Sequence, residues 1–307
     1  MKAILPSLEL VDLPTPEPAN GKVRLRIVAS GVNRADILQA AGHYPPPPGI
    51  TDVLGLEAVG IREDTGELVG ALLAGGGYAE WAVVPETHLL PIPAGWNATD
   101  TAAIIEAACT VHSNLGMRAG LHAGQTVLIH GGAGGIGSFA IQYAKALGAT
   151  VAVTAGSQEN LDYCASLGAD ILINYKEQNF EEHVKADVIL DIMGAKYLER
   201  NIRALADSGH LVIIGLQGGV KAEFNIARLL NKRGQISATA LRSRTNEDKA
   251  RIVADTIAVV WPMLEAGKIK PQVHSVLPLG EARTALDLLK SGIQGKIVLS
   301  QGSEDTH

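Results

Sequence analysis

The chain is short of cysteine, of long apolar runs and of positive charge. Only Cys109 and Cys164 occur among 307 residues. Two thiols cannot build a four-thiolate zinc site, and such sparse use fits a reducing compartment. No apolar stretch reaches the ~18 residues that a spanning helix needs. The longest candidate, Ile257 to Leu264, is interrupted by Pro262. The opening Met1-Lys2-Ala3-Ile4-Leu5-Pro6 turns polar too soon for a signal peptide. Lysine and arginine number 26 against 32 acids, a net charge of −6. Nucleic acid and anionic membrane surfaces are therefore poor partners. The expectation is a cytoplasmic protein.

What is present is apolar and glycine-rich. Hydrophobic residues make up 47% and charged residues 19%, a globular composition long enough for about two domains. The most informative stretch is Val127-Leu128-Ile129-His130-Gly131-Gly132-Ala133-Gly134-Gly135-Ile136-Gly137. A β-branched run ends in a glycine turn and a helix-forming segment follows. Gly132-x-Gly134-x-x-Gly137 matches a dinucleotide fingerprint: a tight turn, a close backbone approach to pyrophosphate, and close helix–strand packing. The helix N-terminus, opening at Gly135 and Ile136, offers free N–H groups to phosphate. Ile136, Ala140, Ile141, Ala144 and Leu147 share a helical face, and Gly148 is a stop signal.

The chain changes character twice. Up to about 110 it is rich in Pro, Gly and short alternating runs such as Val23-Arg24-Leu25-Arg26-Ile27, which predicts an antiparallel β-rich domain. Strands are then expected at 126–130, 150–154, 171–174, 187–192, 210–215 and 235–241, with helices between them. That pattern is an α/β, doubly wound parallel sheet of the Rossmann type. Beyond 250 come a helix to Ala266, a strand at 273–277, a helix at 281–291 and a last strand at 296–299. The domains expected are 1–113 with 251–307, and 114–250. Pro45 to Pro48 form a stiff loop that either props Tyr44 or merely covers the surface.

Six marks in this order carry a resemblance. They are Gly31-Val32-Asn33-Arg34-Ala35-Asp36, Gly42 to Gly49, Gly55-Leu56-Glu57-Ala58-Val59-Gly60, Gly75 to Glu80, the Gly132–Gly137 loop, and Asn174-Tyr175-Lys176. Over nearly its whole length the chain resembles the medium-chain dehydrogenase/reductase superfamily, and within it the zinc-free quinone oxidoreductases related to zeta-crystallin. The resemblance implies a GroES-like catalytic domain beside the Rossmann domain. Its zinc-dependent sister branch places Cys and His where Asn33 and Leu56 stand here, and a third ligand near Glu106. Asn and Leu cannot replace a thiolate and an imidazole, so no metal is expected.

The implied activity is NADPH-dependent reduction of a quinone or related electron-poor carbonyl. An enone or enoyl-thioester reductase and a non-catalytic nucleotide-binding protein stay open. Asn33 and Tyr44 are the implied catalytic residues. Tyr44 would donate its O–H to a developing oxyanion, or else only pack; Asn33 would bond the acceptor or the cofactor, or else stabilise a turn. The cofactor residues implied are Thr110, Gly132, Gly134, Gly135, Ile136, Gly137, Gly156, Ser157, Asn160, Tyr175 and Gly215. Strand 150–154 runs into Thr154-Ala155-Gly156-Ser157 without the acid that binds an NAD ribose. Relatives that use NADPH carry a Lys three residues beyond the Ser; here Asn160 stands there, beside Glu159, and Lys176 and Arg242 are the nearby candidates for replacing the charge. His130 reads as structural, Asp191 as a turn residue, and His112 as either pocket lining or core. A homodimer through the edge strand 235–241 is expected. The turn 61–66 is shorter than in the family, which predicts a more open acceptor pocket.

Overall fold

In the computed structural model, residues 1–301 are described. The chain divides into two compact units. The first comprises Met1–Cys109, Leu241–Gly267 and Pro271 onward; the second comprises Thr110–Ala240 and Lys268–Lys270. The chain thus returns to the first unit at Leu241, ahead of the helix Asn246–Glu265.

The first unit is built on a seven-stranded sheet. Its order is Val273–Pro278, Lys296–Ser300, Lys22–Gly31, Glu57–Arg62, Leu68–Leu72 and Leu89–Pro91, with Trp81–Pro85 also paired to Lys22–Gly31. Most pairs are antiparallel; Val273–Pro278 and Lys296–Ser300 run parallel. The alternation in Lys22–Gly31 decides which face is inside. Val23, Leu25 and Ile27 are buried with Ala58, Val69 and Val84. The short turn at 61–66 closes with Gly66 at φ 74°, a conformation glycine adopts freely.

Inside this unit lies a buried polar cluster. Lys296 Nζ is 2.6 Å from both Glu57 Oε1 and Asn33 Oδ1, and Asn33 Nδ2 donates to Glu57 Oε1 at 2.8 Å. The Glu106 backbone N–H donates to the other Glu57 oxygen at 2.7 Å. A Cβ at Gly31 would collide with the Glu57 carboxylate, so glycine is required there. Asp36 reaches back to the Asn33 N–H, as an N-terminal helix cap does, and accepts from Tyr78 Oη at 2.8 Å and the Gly55 N–H. Burial pushes the Asp36 carboxyl up to about 6, against the pull of these donors.

The second unit is a six-stranded, all-parallel sheet. Its order is Ile171–Asn174, Thr150–Ala155, Thr126–His130, Ala186–Asp191, Leu205–Ile213, Gln235–Ala238. In chain order this is 3-2-1-4-5-6, the Rossmann order, whose direction reverses beside Thr126–His130. The expected strands fall within a few residues of these bounds. The largest difference is Leu205–Ile213, whose polar start, Ala206-Asp207-Ser208, hides its β character. Leu128, Ala152, Ile189 and Leu211 fill one side of the sheet together with Phe180 and Tyr197. The helix Gly135–Ala146 is buried almost all round and ends at Gly148 with φ 82°, a left-handed cap. Among the described residues no helix is long and apolar enough to cross a membrane.

The Glu57–Lys296 pair gives a direct test. Removing one partner of a buried ion pair leaves an uncompensated charge and costs about 3–5 kcal/mol. Lys296→Met should lower the unfolding free energy by about that much. Glu57→Gln with Lys296→Met should recover part of the loss, because the unpaired buried charge is gone, while the single Gln oxygen keeps only one of the two bonds that Asn33 Nδ2 and the Glu106 N–H make to separate carboxylate oxygens. Chemical denaturation of the three proteins checks this; a double variant no better than the single one contradicts it.

Candidate active site

The second unit gathers its candidate residues at the carboxyl ends of its parallel strands, the edge where open α/β sheets bind ligands. The glycine loop follows strand Thr126–His130. Its glycines have different reasons to be there. A Cβ at Gly132 would meet Cys164 Sγ at 2.9 Å and Val153 Cβ at 3.0 Å, and one at Gly137 would strike the carbonyl oxygens of Gly131 and Gly132. These two serve packing. A Cβ at Gly134 has only the Gly131 oxygen near it, at 3.7 Å. Gly134 therefore keeps a surface open. It is the N-cap of helix Gly135–Ala146 and carries no side-chain cap, so the helix end with Gly135 and Ile136 suits a pyrophosphate.

Beyond strand Thr150–Ala155, Gly156 and Ser157 lead into helix Gln158–Ser166. Ser157 Oγ caps it, accepting from the Asn160 N–H at 3.3 Å. Tyr175 is brought to the same corner because its N–H bonds the Ala155 carbonyl. Its ring lies over Gly156, where a Cβ would meet the hydroxyl at 2.5 Å. Tyr175 and Lys176 are both exposed here. Gly156, Ser157, Asn160 and Tyr175 thus meet at one corner, with Glu159 in the first turn of the helix. Gly215 lies in the loop after Leu205–Ile213, where a Cβ would meet the Ile192 carbonyl oxygen at 2.7 Å. Thr110 is buried, and its carbonyl accepts from Asn114 Nδ2 and Ser113 Oγ.

Three further buried residues beside the sheet have their polar atoms engaged within the protein. His130 is buried, with its ring nitrogens 3.0 Å from Thr154 Oγ1 and 2.7 Å from Asn201 Oδ1. It stands edge-on to Phe180 and Tyr197, and burial pulls its pKa down to about 4, so it is neutral at pH 7. Asp191 accepts from the Met193 and Gly194 N–H groups, closing the turn after its strand. His112 is buried in a π-helical stretch, His112–Arg118, with Nδ1 2.8 Å from Tyr143 Oη.

In the first unit, Tyr44 is half-buried at the start of the proline loop. Among the described residues its hydroxyl has no hydrogen-bond partner. Burial raises its pKa, so it stays protonated, a donor. Arg242 fixes it from below: the guanidinium carbon is 5.3 Å from the ring centroid, Nη1 donates to the Tyr44 carbonyl at 3.0 Å, and Nε donates to the Ala74 carbonyl at 2.7 Å. Arg242 is thereby committed to Tyr44 and Ala74, which leaves Lys176 as the cation adjoining Tyr175. Asn33 is buried, and both ends of its amide are taken by Glu57 and Lys296. Glu57, Lys296, Asp36 and Tyr78 were not readable as a cluster from the sequence. Three of them, Asp36, Glu57 and Tyr78, lie in the Gly31–Asp36, Gly55–Gly60 and Gly75–Glu80 marks, and that shared membership with Asn33 was the available signal.

The two units are a GroES-like β unit and a Rossmann unit. The alcohol dehydrogenase GroES-like domain model matches residues 19–94, and the zinc-binding dehydrogenase model matches residues 135–258. Quinone oxidoreductases from Sus scrofa and Mus musculus are 30% and 29% identical, each covering 94% of this chain and 92% of the relative. The quinone oxidoreductase of Thermus thermophilus, solved also in complex with NADPH, is 32% identical with TM-score 0.84, covering 98% and 100% of the two chains. A solved NAD-dependent alcohol dehydrogenase reaches TM-score 0.85 at 28% identity, covering 98% and 100%, so overall shape does not separate the branches. The chain belongs to the medium-chain dehydrogenase/reductase superfamily, in its zeta-crystallin-like quinone oxidoreductase branch.

Proposed function

We infer that the protein reduces quinones and related electron-poor carbonyls with NADPH. The observation that carries this is the Gly156–Ser157–Tyr175 corner: a second-strand end without the ribose-binding acid, in a chain 30% identical to quinone oxidoreductases over nine-tenths of its length. NADPH, when bound, supplies the hydride. The pyrophosphate belongs to Gly132, Gly134, Gly135, Ile136 and Gly137, where the uncapped helix end and the open face of Gly134 fit it. Ser157, Asn160 and Tyr175 are the donors for the 2′-phosphate, with Thr110 and Gly215 completing the cofactor set.

Tyr44 is the direct catalytic donor. Its protonated hydroxyl bonds the acceptor oxygen as negative charge builds there. Arg242 is its positioning residue. Asn33 has its amide engaged and holds the loop end through Glu57 and Lys296, with one further lone pair on Oδ1 to offer a ligand. The donor set does not suit zinc. Leu56 is a hydrocarbon, and Asn33 Oδ1 already accepts from an ammonium group at 2.6 Å.

We also propose a cytoplasmic homodimer formed through the edge strand Gln235–Ala238. Leu216, Val220, Ile226 and Leu230, in the segments leading to that strand, are each more than half exposed. A second copy adding its own edge strand would pair the open backbone and cover such side chains. Sedimentation at micromolar concentration should give twice the chain mass, and Ile236→Asp should give a monomer; a monomeric wild type contradicts the proposal.

Tyr44→Phe should lower quinone turnover at least tenfold and leave the NADPH dissociation constant unchanged. A hydrogen bond to developing charge contributes about 1.5–3 kcal/mol. Unchanged turnover in the folded variant returns Tyr44 to a packing role.

Asn160→Lys should tighten NADPH by roughly tenfold to a hundredfold and leave NADH almost unmoved. The new cation would stand beside the Ser157 cap, where only NADPH has a phosphate to meet. Titration of both cofactors at two salt concentrations checks this. An equal change for both places the 2′-phosphate elsewhere.

A further inference from the structure

The first unit contains a cavity of about 450 Å³ whose lining includes neither Tyr44 nor Asn33, a volume suited to a small organic molecule. Its walls are largely apolar and include Met1, Ile50, Leu72 and Trp81. The polar side chains that break this lining are the exposed Glu17, Lys22, Thr51 and Asn246 and the buried His88 and Lys249. Lys249, in the second turn of helix Asn246–Glu265, is only 5% exposed and lines the cavity. Its ammonium group has no hydrogen bond and no ion-pair partner among the described residues.

The charges around Lys249 make this lack unusual. Burial, and after it the charge of Arg242, lowers the Lys249 pKa; burial, and to a smaller extent the charge of Lys249, lowers that of His88, a second lining residue. Three basic groups therefore feel one another. The only acid in the lining, Glu17, is highly exposed and pairs with Arg24 at 3.0 Å. His88 Nε2 is occupied by the Asn246 carbonyl at 3.0 Å, and Arg242 Nη2 is buried without a partner. A buried charge is ordinarily paired or hydrogen-bonded. Here the cavity itself is the place where a counter-charge can enter.

We propose that this cavity binds a small apolar carboxylate, its hydrocarbon part against the Ile50, Leu72 and Trp81 wall and its carboxylate on Lys249. A carboxylate on a lysine ammonium makes a charge-assisted hydrogen bond, roughly twice as strong as a neutral one. The apolar walls supply the remaining affinity by area. A neutral analogue of the same shape gains only the second part. The lining contains neither Tyr44 nor Asn33 nor Arg242, so the site goes beyond the quinone reductase reading and is tested separately from it.

The test is calorimetric titration of the full chain with 2-naphthoate and, as its neutral counterpart, 2-naphthamide. Wild type should bind naphthoate at least tenfold more tightly than naphthamide. Lys249→Met should lose that preference, and Lys249→Arg, which keeps the cation, should retain it. Lys249→Met should also melt higher than wild type, because it removes a buried charge without a partner. Its NADPH-dependent quinone turnover should equal that of wild type. Equal binding of naphthoate and naphthamide to wild type overturns the proposal, as does a preference that survives in Lys249→Met. Absence of quinone turnover in wild type overturns the reductase reading and leaves the binding result intact.

Discussion

The catalytic unit is organised around one buried carboxylate. Glu57 sits at the start of a central strand with no exposure to water, and everything near it answers that fact. Lys296 comes from the last strand of the chain to neutralise it, and the Asn33 amide and the Glu106 N–H fill its remaining lone pairs. Gly31 is glycine because the carboxylate fills the space a side chain would need. A buried pair of this kind is poor evidence for added stability in itself, since desolvation offsets much of the attraction. Its effect is specificity. It fixes the loop end carrying Asn33, the first helix and the C-terminal strand in one arrangement.

This cluster lies where the zinc-dependent branch keeps its metal ligands. In this chain the corresponding positions hold an amide and a leucine, and the nearby positive charge is an ammonium group. The demands of the chemistry fall accordingly. Without a Lewis acid at the reacting oxygen, an alcohol is a poor substrate, while a quinone, already electron-poor, needs mainly orientation and a donor. Tyr44 is equipped for that role. It is protonated, its hydroxyl has no partner among the described residues, and Arg242 holds its backbone and the face of its ring.

The Rossmann unit was legible in the sequence almost strand by strand, because its buried parallel strands read as continuous β-branched runs bounded by glycine. The exposure of Gly134 and the packing of Gly137 match the fingerprint, whereas Gly132, expected to permit the tight turn, is held by packing against Cys164 and Val153 and the positive φ falls at Gly131. The clustering of Gly156, Ser157 and Tyr175 rested on resemblance alone, and in the structure a backbone bond from Tyr175 to Ala155 brings them together. The polar cluster was not legible. Glu57 and Lys296 are 239 residues apart in sequence, and no local pattern reports so distant a pairing. The same holds for Arg242 and Tyr44: sequence suggested a phosphate-binding charge, and the fold commits that guanidinium to two backbone carbonyls. The start of strand Leu205–Ile213 was missed for a simpler reason, since the buried Leu205 is followed by the exposed polar pair Asp207 and Ser208.

The central claim is that hydride chemistry in this chain runs on the cofactor and Tyr44, with the Glu57–Lys296–Asn33 cluster in place of a metal. The direct measurement is steady-state oxidation of NADPH by a small quinone, before and after exhaustive dialysis against a zinc chelator, with the metal content of each sample determined. The account predicts quinone-dependent NADPH oxidation at the same rate in both samples. Turnover that vanishes on dialysis and returns only with zinc, or NADPH oxidation that never depends on quinone, would contradict it.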